Sequence, residues 1–192
     1  LYQAEYSLAA DVTPDTFSML QEGIQSIASD YDIILLDPPP ALGMISLNVI
    51  YAANALLIPM PPSMYDFAST ISFLTMLYET MEVLEQRVGK IDYKFVKLLI
   101  SRFDENKSGQ VTLVDLVESE FGNVVLSSKF RESAEIVTAG NFQRTVYEMD
   151  RSNTKVRKRC LNILDAVNAE IELLIRKSWP SHAKALRDSG LI

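Results

Sequence analysis

The sequence holds one cysteine, Cys160, one histidine, His182, and one tryptophan, Trp179, among its 192 residues. A lone thiol cannot close an internal disulfide, and with one imidazole it cannot build a Cys/His metal cluster. One thiol per chain is also half of what a dimer-bridged four-thiolate iron–sulfur centre requires. Cys160 therefore reads as a small core residue. Glycine is sparse, seven in all, and nowhere takes the spacing of a phosphate-cradling loop. Gly89-Lys90-Ile91 and Asn106-Lys107-Ser108-Gly109 both read as turns. No apolar stretch approaches the roughly 20 residues of a membrane span, and the opening Leu1-Tyr2-Gln3-Ala4-Glu5 has no basic n-region. The expectation is a cytoplasmic protein that does not engage a membrane. Positive charge is scarce in the first half: residues 1–100 carry 4 basic and 12 acidic side chains, residues 101–192 carry 14 and 13. A net charge of −7 argues against a surface coated in positive charge but leaves room for a local basic patch.

Apolar residues make up 48% of the chain, enough for one sizeable core, and the length predicts one globular unit over residues 1–180 with a frayed tail at 181–192. The run Tyr31-Asp32-Ile33-Ile34-Leu35-Leu36-Asp37-Pro38-Pro39-Pro40-Ala41-Leu42-Gly43 is apolar until a carboxylate and then prolines stop it. It reads as a buried strand over 32–37 delivering Asp37 to a sheet edge, which is how a Walker B element is written. There a carboxylate can hold a Mg²⁺-bound water beside phosphates. The alternative is a strand-to-loop turn in which Asp37 accepts backbone N–H bonds.

Periodicity predicts the rest. Thr13-Pro14-Asp15 starts a helix with Phe17, Leu20, Ile24 and Ile27 at helical spacing. A short helix spans about 42–53, and Ala55 to Met60 is a second strand. Asp66 or Ser69 caps a long helix to about Arg87, with a stop at Gly89. A third strand runs from Tyr93 to Ser101 and a helix of about ten residues follows from Val111. Val124-Val125-Leu126 makes a fourth strand, and a short helix covers Arg131 to Thr138. The last helix runs from Ser152 or Asn153 to about Ser178, with Val156, Cys160, Ile163, Leu164, Val167, Ile171 and Leu174 inward. Strands alternating with such helices imply a mostly parallel, helix-flanked α/β sheet.

The Asp37-Pro38-Pro39 run with Leu42-Gly43 and Asn48, the strand Leu57-Ile58-Pro59, and Arg102-Phe103-Asp104 before Phe121-Gly122 resemble the ParA/MinD group of deviant Walker ATPases. Thr145-Val146-Tyr147-Glu148 and the ending Ile175-Arg176-Lys177-Ser178-Trp179 resemble, within it, the RepA partition proteins of repABC-type plasmids. The likeness runs over about residues 12–180. It implies a doubly wound P-loop NTPase-like fold, here without the first strand and the Walker A loop, which the family carries upstream of the matched region. The chain is thus expected to be the C-terminal portion of a longer ATPase and to be inactive alone.

In an intact relative the resemblance implies ATP and Mg²⁺ as cofactors. Asp37 would hold the metal through water while Pro38, Pro39 and Gly43 belong to the switch that senses the γ-phosphate. Ser101 and Arg102, and after the following strand Lys129, Phe130 and Arg131, fall where family members contact base or ribose. The alternative for both sets is a solvated loop with its aromatic tucked into the core. Arg151, Lys155, Arg157, Lys158 and Arg159 crowd a helix start, where the macrodipole disfavours positive charge. A DNA backbone would offset that cost, with Arg102, Lys129 and Arg131 as competing or additional contributors, as would acid pairing by Glu148, Asp150 and Asp165. Partners implied by the resemblance are non-specific DNA, a ParB-type centromere-binding protein and a second copy of the chain, in a nucleoid-associated setting. The competing reading is a non-enzymatic DNA- or protein-binding module that kept the fold.

Overall fold

The computed structural model describes residues 14–39, 43–149, 155–179 and 187–188. Contacts gather into two compact units, Leu1–Leu56 with Thr75–Phe95 and Leu57–Leu74 with Val96–Ile192. In the first, helix α1 (Pro14–Ile27) packs on helix α2 (Met44–Ala52). The amphipathic spacing of α1 buries Thr16 and Phe17 while Met19 and Ile27 stay exposed. Helix α2 has no polar stripe, yet it buries Ser46 and Asn48 beside Ile50. Asn48 is satisfied there, accepting at 3.4 Å from Leu20 N–H and donating at 3.0 Å to Met44 C=O. Buried polar groups persist when paired in this way. In the same unit Tyr93 Oη donates to Ile50 C=O at 2.8 Å, and burial pushes its hydroxyl up to about 12.

The run over 31–39 is extended but is not a strand. A strand needs a neighbour to receive its N–H and C=O groups, and no ladder partner for the run occurs among the described residues. Tyr31, Ile33 and Leu35 are exposed, whereas Ile34 and Leu36 are half-buried. The alternation of a one-sided strand is present without the sheet. The expected placing of Asp37 at a strand tip is therefore corrected: it stands exposed near the end of an unladdered segment.

In the second unit, β1 (Leu56–Met60) and β2 (Val96–Ile100) form a parallel pair. Ser101 N–H donates to Met60 C=O at 3.0 Å, and β1 alternates half-buried and exposed residues up to buried Met60. Pro59 removes a donor from β1, which suits an edge position. On the other flank of β2, two isolated parallel bridges pair Leu98 with Val125 and Phe103 with Arg131. The strand expected at 124–126 is replaced by these bridges. The N–H groups of Ser127 and Ser128 leave the ladder for a side-chain carboxylate described below.

Helix α3 (Met64–Val88) follows β1. Its cap is Ser63 rather than Asp66 or Ser69: Asp66 N–H donates to Ser63 Oγ at 3.1 Å and the hydroxyl donates to Asp66 Oδ2, while Ser63 N–H turns back to Pro61 C=O at 2.9 Å. Helix α4 (Ser108–Phe121) starts a turn earlier than periodicity suggested and ends at Gly122, whose φ of 51° needs glycine. Met60, Leu98, Ile100, Phe103, Leu113, Val114, Val117 and Val125 form the core between sheet and α4. On the opposite face Leu99 and Leu126 meet Val167 of helix α6 (Lys155–Ser178). The buried β2 triplet Leu98-Leu99-Ile100 is thus covered on both faces, as parallel strands require. Helix α5 (Ala134–Asn141) begins after Ser133, whose side chain accepts from Glu135 N–H. It cannot begin at Arg131, because that residue is held in the bridge to Phe103.

Candidate functional site

The second unit carries an open groove of about 700 Å³ lined by Ser127, Ser128, Lys129, Arg131, Lys158, Arg159, Asn162, Ile163 and Ala166. Two segments far apart in sequence supply its cations. The first follows β2 through the bridges at Val125 and Arg131, and the second is the first half of α6. A half-buried carboxylate fixes them to each other. Glu170 of α6 accepts from Ser127 N–H at 2.8 Å and from Ser128 N–H at 2.7 Å, one bond on each oxygen. Burial works against ionisation of Glu170, yet these two backbone bonds outweigh it and hold the carboxyl below its usual range. Ser128 Oγ adds a long bond to Ala166 C=O at 3.4 Å.

Three of the four cations lining the groove meet acids. Lys129 Nζ lies 2.6 Å from Glu118 Oε1 of α4. Arg131 Nη1 and Arg159 Nη2 both reach Glu105 Oε1, at 2.5 and 2.6 Å. The hydrogen bond from Arg131, first, and the charge and hydrogen bond of Arg159 keep the Glu105 carboxyl below its usual range against slight desolvation. Lys158 is exposed and makes no ion pair with a described residue. Acid pairing at the start of α6 does occur, but through Glu105 and Glu135. Of the acids expected there, Glu148 caps Thr145 through its N–H and Oγ, and Asp165 accepts from Tyr147 Oη at 2.7 Å. Asp150 lies outside the described residues.

The candidate set divides accordingly. Lys129, Arg131, Lys158 and Arg159 come together. Arg157 does not: its side chain is 12% exposed and faces Glu135 at 3.7 Å. Its place three residues before Cys160 and seven before Leu164 puts it on the inward stripe of α6, a signal legible in the sequence and passed over. Phe130 packs against Leu99, Leu126 and Val167, so the aromatic is tucked into the core and does not offer a stacking face. Arg151 lies outside the described residues, and of Lys155 only the backbone is described. Glu105, Glu118 and Glu170 were not foreseen; each acts across the fold.

Ser101 and Arg102 stand at the carboxyl end of β2. Ser101 is half-buried, while Arg102 is exposed, pairs with Glu132 at 3.5 Å and holds φ at 54°, a conformation costly for a residue with a Cβ. Asp37, Pro38, Pro39 and Gly43 belong to the other unit. Gly43 is the residue preceding α2, and Ser46 Oγ donates to Pro39 C=O at 3.4 Å. No group of three His, Cys, Asp or Glu side chains able to hold a metal occurs among the described residues. Asp37 is a single carboxylate, so a Mg²⁺ beside it would take most of its ligands from water and phosphate oxygens. These residues alone do not make a complete cation site.

A family model described as an AAA domain matches residues 1–92. A Rhizobium rhizogenes protein provisionally named replication protein A is 31% identical over 85% of this chain and 41% of its own length. Protein SopA of Escherichia coli is 29% identical over 86% of this chain and 43% of its own. A solved structure titled Partition Protein superposes with a TM-score of 0.64 at 26% identity, covering 83% of this chain and 41% of that one. The chain is similar in sequence and in fold to partition proteins of the ParA/MinD type. Its fold is theirs, α/β with a parallel pair flanked by helices, and it spans about two fifths of the length of the curated relatives it matches. No helix among the described residues is long and apolar enough to cross a membrane.

Proposed function

We propose that this chain is the groove-bearing portion of a plasmid or chromosome partition ATPase, and that the groove receives the phosphate backbone of DNA without regard to sequence. One observation carries the reading. Lys129 and Arg131 from one segment and Lys158 and Arg159 from a distant helix line a single open surface in a protein whose net charge is −7. Four cations against the two acids that pair three of them, Glu105 and Glu118, leave a net positive groove on an acidic molecule, and such a surface can track phosphates with affinity drawn from counterion release. The resemblance adds ATP and Mg²⁺, a second copy of the chain, a ParB-type partner and a nucleoid setting as properties of the longer protein, with Asp37 as the carboxylate that steadies the metal's water.

The test is DNA binding across a salt series with Lys158→Glu and Arg159→Glu. Each charge reversal should weaken binding of unrelated duplexes alike and lower the slope of log affinity against log salt by about one to two. Binding that ignores both substitutions at every salt concentration refutes the groove as the DNA surface. The competing reading, a non-enzymatic binding module, draws on the absence of a glycine-rich phosphate loop anywhere in the 192 residues. Both readings use the same groove, and they part on nucleotide binding by a longer chain.

A further inference from the structure

We propose that Glu105 is an internal stand-in for a DNA phosphate, holding the two groove arginines until a backbone phosphate displaces it. The inference rests on the DNA-binding reading above and deepens it. Glu105 sits on the loop after β2, and its Oε1 accepts from Arg131 at 2.5 Å and from Arg159 at 2.6 Å. A single oxyanion thus joins guanidinium groups from the two segments that build the groove. That is the recognition geometry of a phosphoryl oxygen, since guanidinium forks match carboxylate and phosphate alike.

The position of the loop favours exchange. Arg131 and Arg159 line both the groove and an adjoining cavity of about 220 Å³, and Glu105 lines only the second. Withdrawing Glu105 leaves both arginines on the groove wall. The Glu105 side chain is 42% exposed, and ion pairs open to solvent are held by about 1 kcal/mol or less. A phosphodiester brings more than one oxygen and sheds counterions on docking, so it can take the arginines from one carboxylate. The turn that carries Glu105 is built without it: Asp104 Oδ1 accepts from Asn106 N–H at 3.1 Å and from Asn106 Nδ2 at 2.9 Å. The hydrogen bonds of that turn therefore do not depend on the Glu105 side chain. Lys129 differs, since its partner Glu118 is fixed on a helix.

The experiment is fluorescence anisotropy of a labelled duplex of arbitrary sequence with the present chain. It compares Glu105→Gln with Glu172→Gln, which removes the same charge beside Arg176, outside the residues lining the groove. Glu105→Gln should tighten binding about five-fold, the upper range for freeing exposed ion pairs, and steepen the salt slope by about one. Glu172→Gln should change it less than about two-fold. Equal gains from both substitutions, or none from Glu105→Gln while Lys158→Glu still weakens binding, overturn the role of Glu105 and leave the DNA reading standing. No binding by any form at low salt overturns the DNA reading and this inference with it. In a parallel arm, inorganic phosphate competes against the duplex at matched ionic strength. Competition no stronger than that of chloride supports the duplex backbone as the source of the oxyanion; specific displacement assigns the arginines to free phosphate and overturns the duplex assignment.

Discussion

Removing the carboxylate of Glu170 should loosen the segment that carries Lys129 and Arg131 before it unfolds anything else. The two bonds to Ser127 and Ser128 N–H, at 2.8 and 2.7 Å, join groups 43 and 42 residues apart in sequence. Hydrogen bonds to a charged group contribute about 1.5–3 kcal/mol each when shielded and less where water competes. The Ser128 bond is partly buried and the Ser127 bond is exposed, so Glu170→Ala should cost about 2–3 kcal/mol in all. Glu170→Gln keeps one acceptor but turns an NH₂ toward the second N–H, and should cost about 1–2 kcal/mol. Urea unfolding should show these as a lower midpoint with an unchanged slope, and hydrogen exchange should show faster loss at Ser127 and Ser128 than at Leu98 or Ile100.

The pH dependence supplies a second check with a definite sign. The Glu170 carboxyl is held below its ordinary value of 4.5, so the unfolded chain takes up the proton first. The contribution of Glu170 is complete above the unfolded value and is lost as pH falls from about 4.5 through the folded one. Lys97 on β2 also faces the carboxylate and favours its charge. Asp104, Glu105 and Glu148 are likewise held low and add their own acid dependence, so the informative quantity is the difference between wild type and Glu170→Gln. That difference should shrink with acidification. A cost under about 0.5 kcal/mol for Glu170→Ala, or unaltered exchange at the two serine amides, refutes the clamp.

Tyr93 gives the alkaline counterpart: with its hydroxyl pushed up to about 12 by burial, stability is full below the ordinary value of 10 and is lost as pH rises toward 12. Allowing for a ring only half-buried, the loss is about 1–2 kcal/mol, and alkaline unfolding of Tyr93→Phe should lack it. In the core of the second unit, Leu98→Ala should cost about 3 kcal/mol in urea unfolding, because Leu98 is 1% exposed amid well-packed neighbours. Leu57→Ala on the exposed side of β1 should cost under about 1 kcal/mol. Calorimetric titration with Mg-ATP should give no binding to this chain and clear binding to a longer one that carries a glycine-rich loop upstream; comparable affinity from both would refute the assignment of phosphate binding to residues outside this sequence.

The elements legible in the sequence are those whose cause is local. Leu56–Met60 and Val96–Ile100 are short apolar runs bounded by breakers, and α1, α3 and α6 repeat apolar residues at helical spacing. What misled is what depends on a partner. The run before Asp37 has every intrinsic mark of a strand, yet strand formation is a property of two segments side by side. The likeness to partition proteins therefore rests on matched sequence and fold and not on the surroundings of Asp37. The cap of α3 was readable, since Ser63-Met64-Tyr65-Asp66 has the spacing at which a capping hydroxyl accepts from the third backbone N–H of a helix. The turn-rich Pro61-Pro62 before it drew the helix start inward.

The groove teaches the same lesson from side chains. Lys158 and Arg159 could be chosen over Arg157 by counting round the helix, because 100° per residue carries Arg157 to the stripe of Cys160 and Leu164. No count could have joined Arg159 to Glu105, 54 residues away, or Ser127 to Glu170. A helix start crowded with cations looks costly in isolation, and the fold meets that cost by bringing acids from the loop after β2 and from α5. The pairing of Arg157 with Glu135 is shielded, whereas the Arg159 pair with Glu105 is open to solvent. The first therefore belongs to stability and the second to exchange with a ligand, so Arg157→Glu should disturb folding and Arg159→Glu should disturb DNA retention.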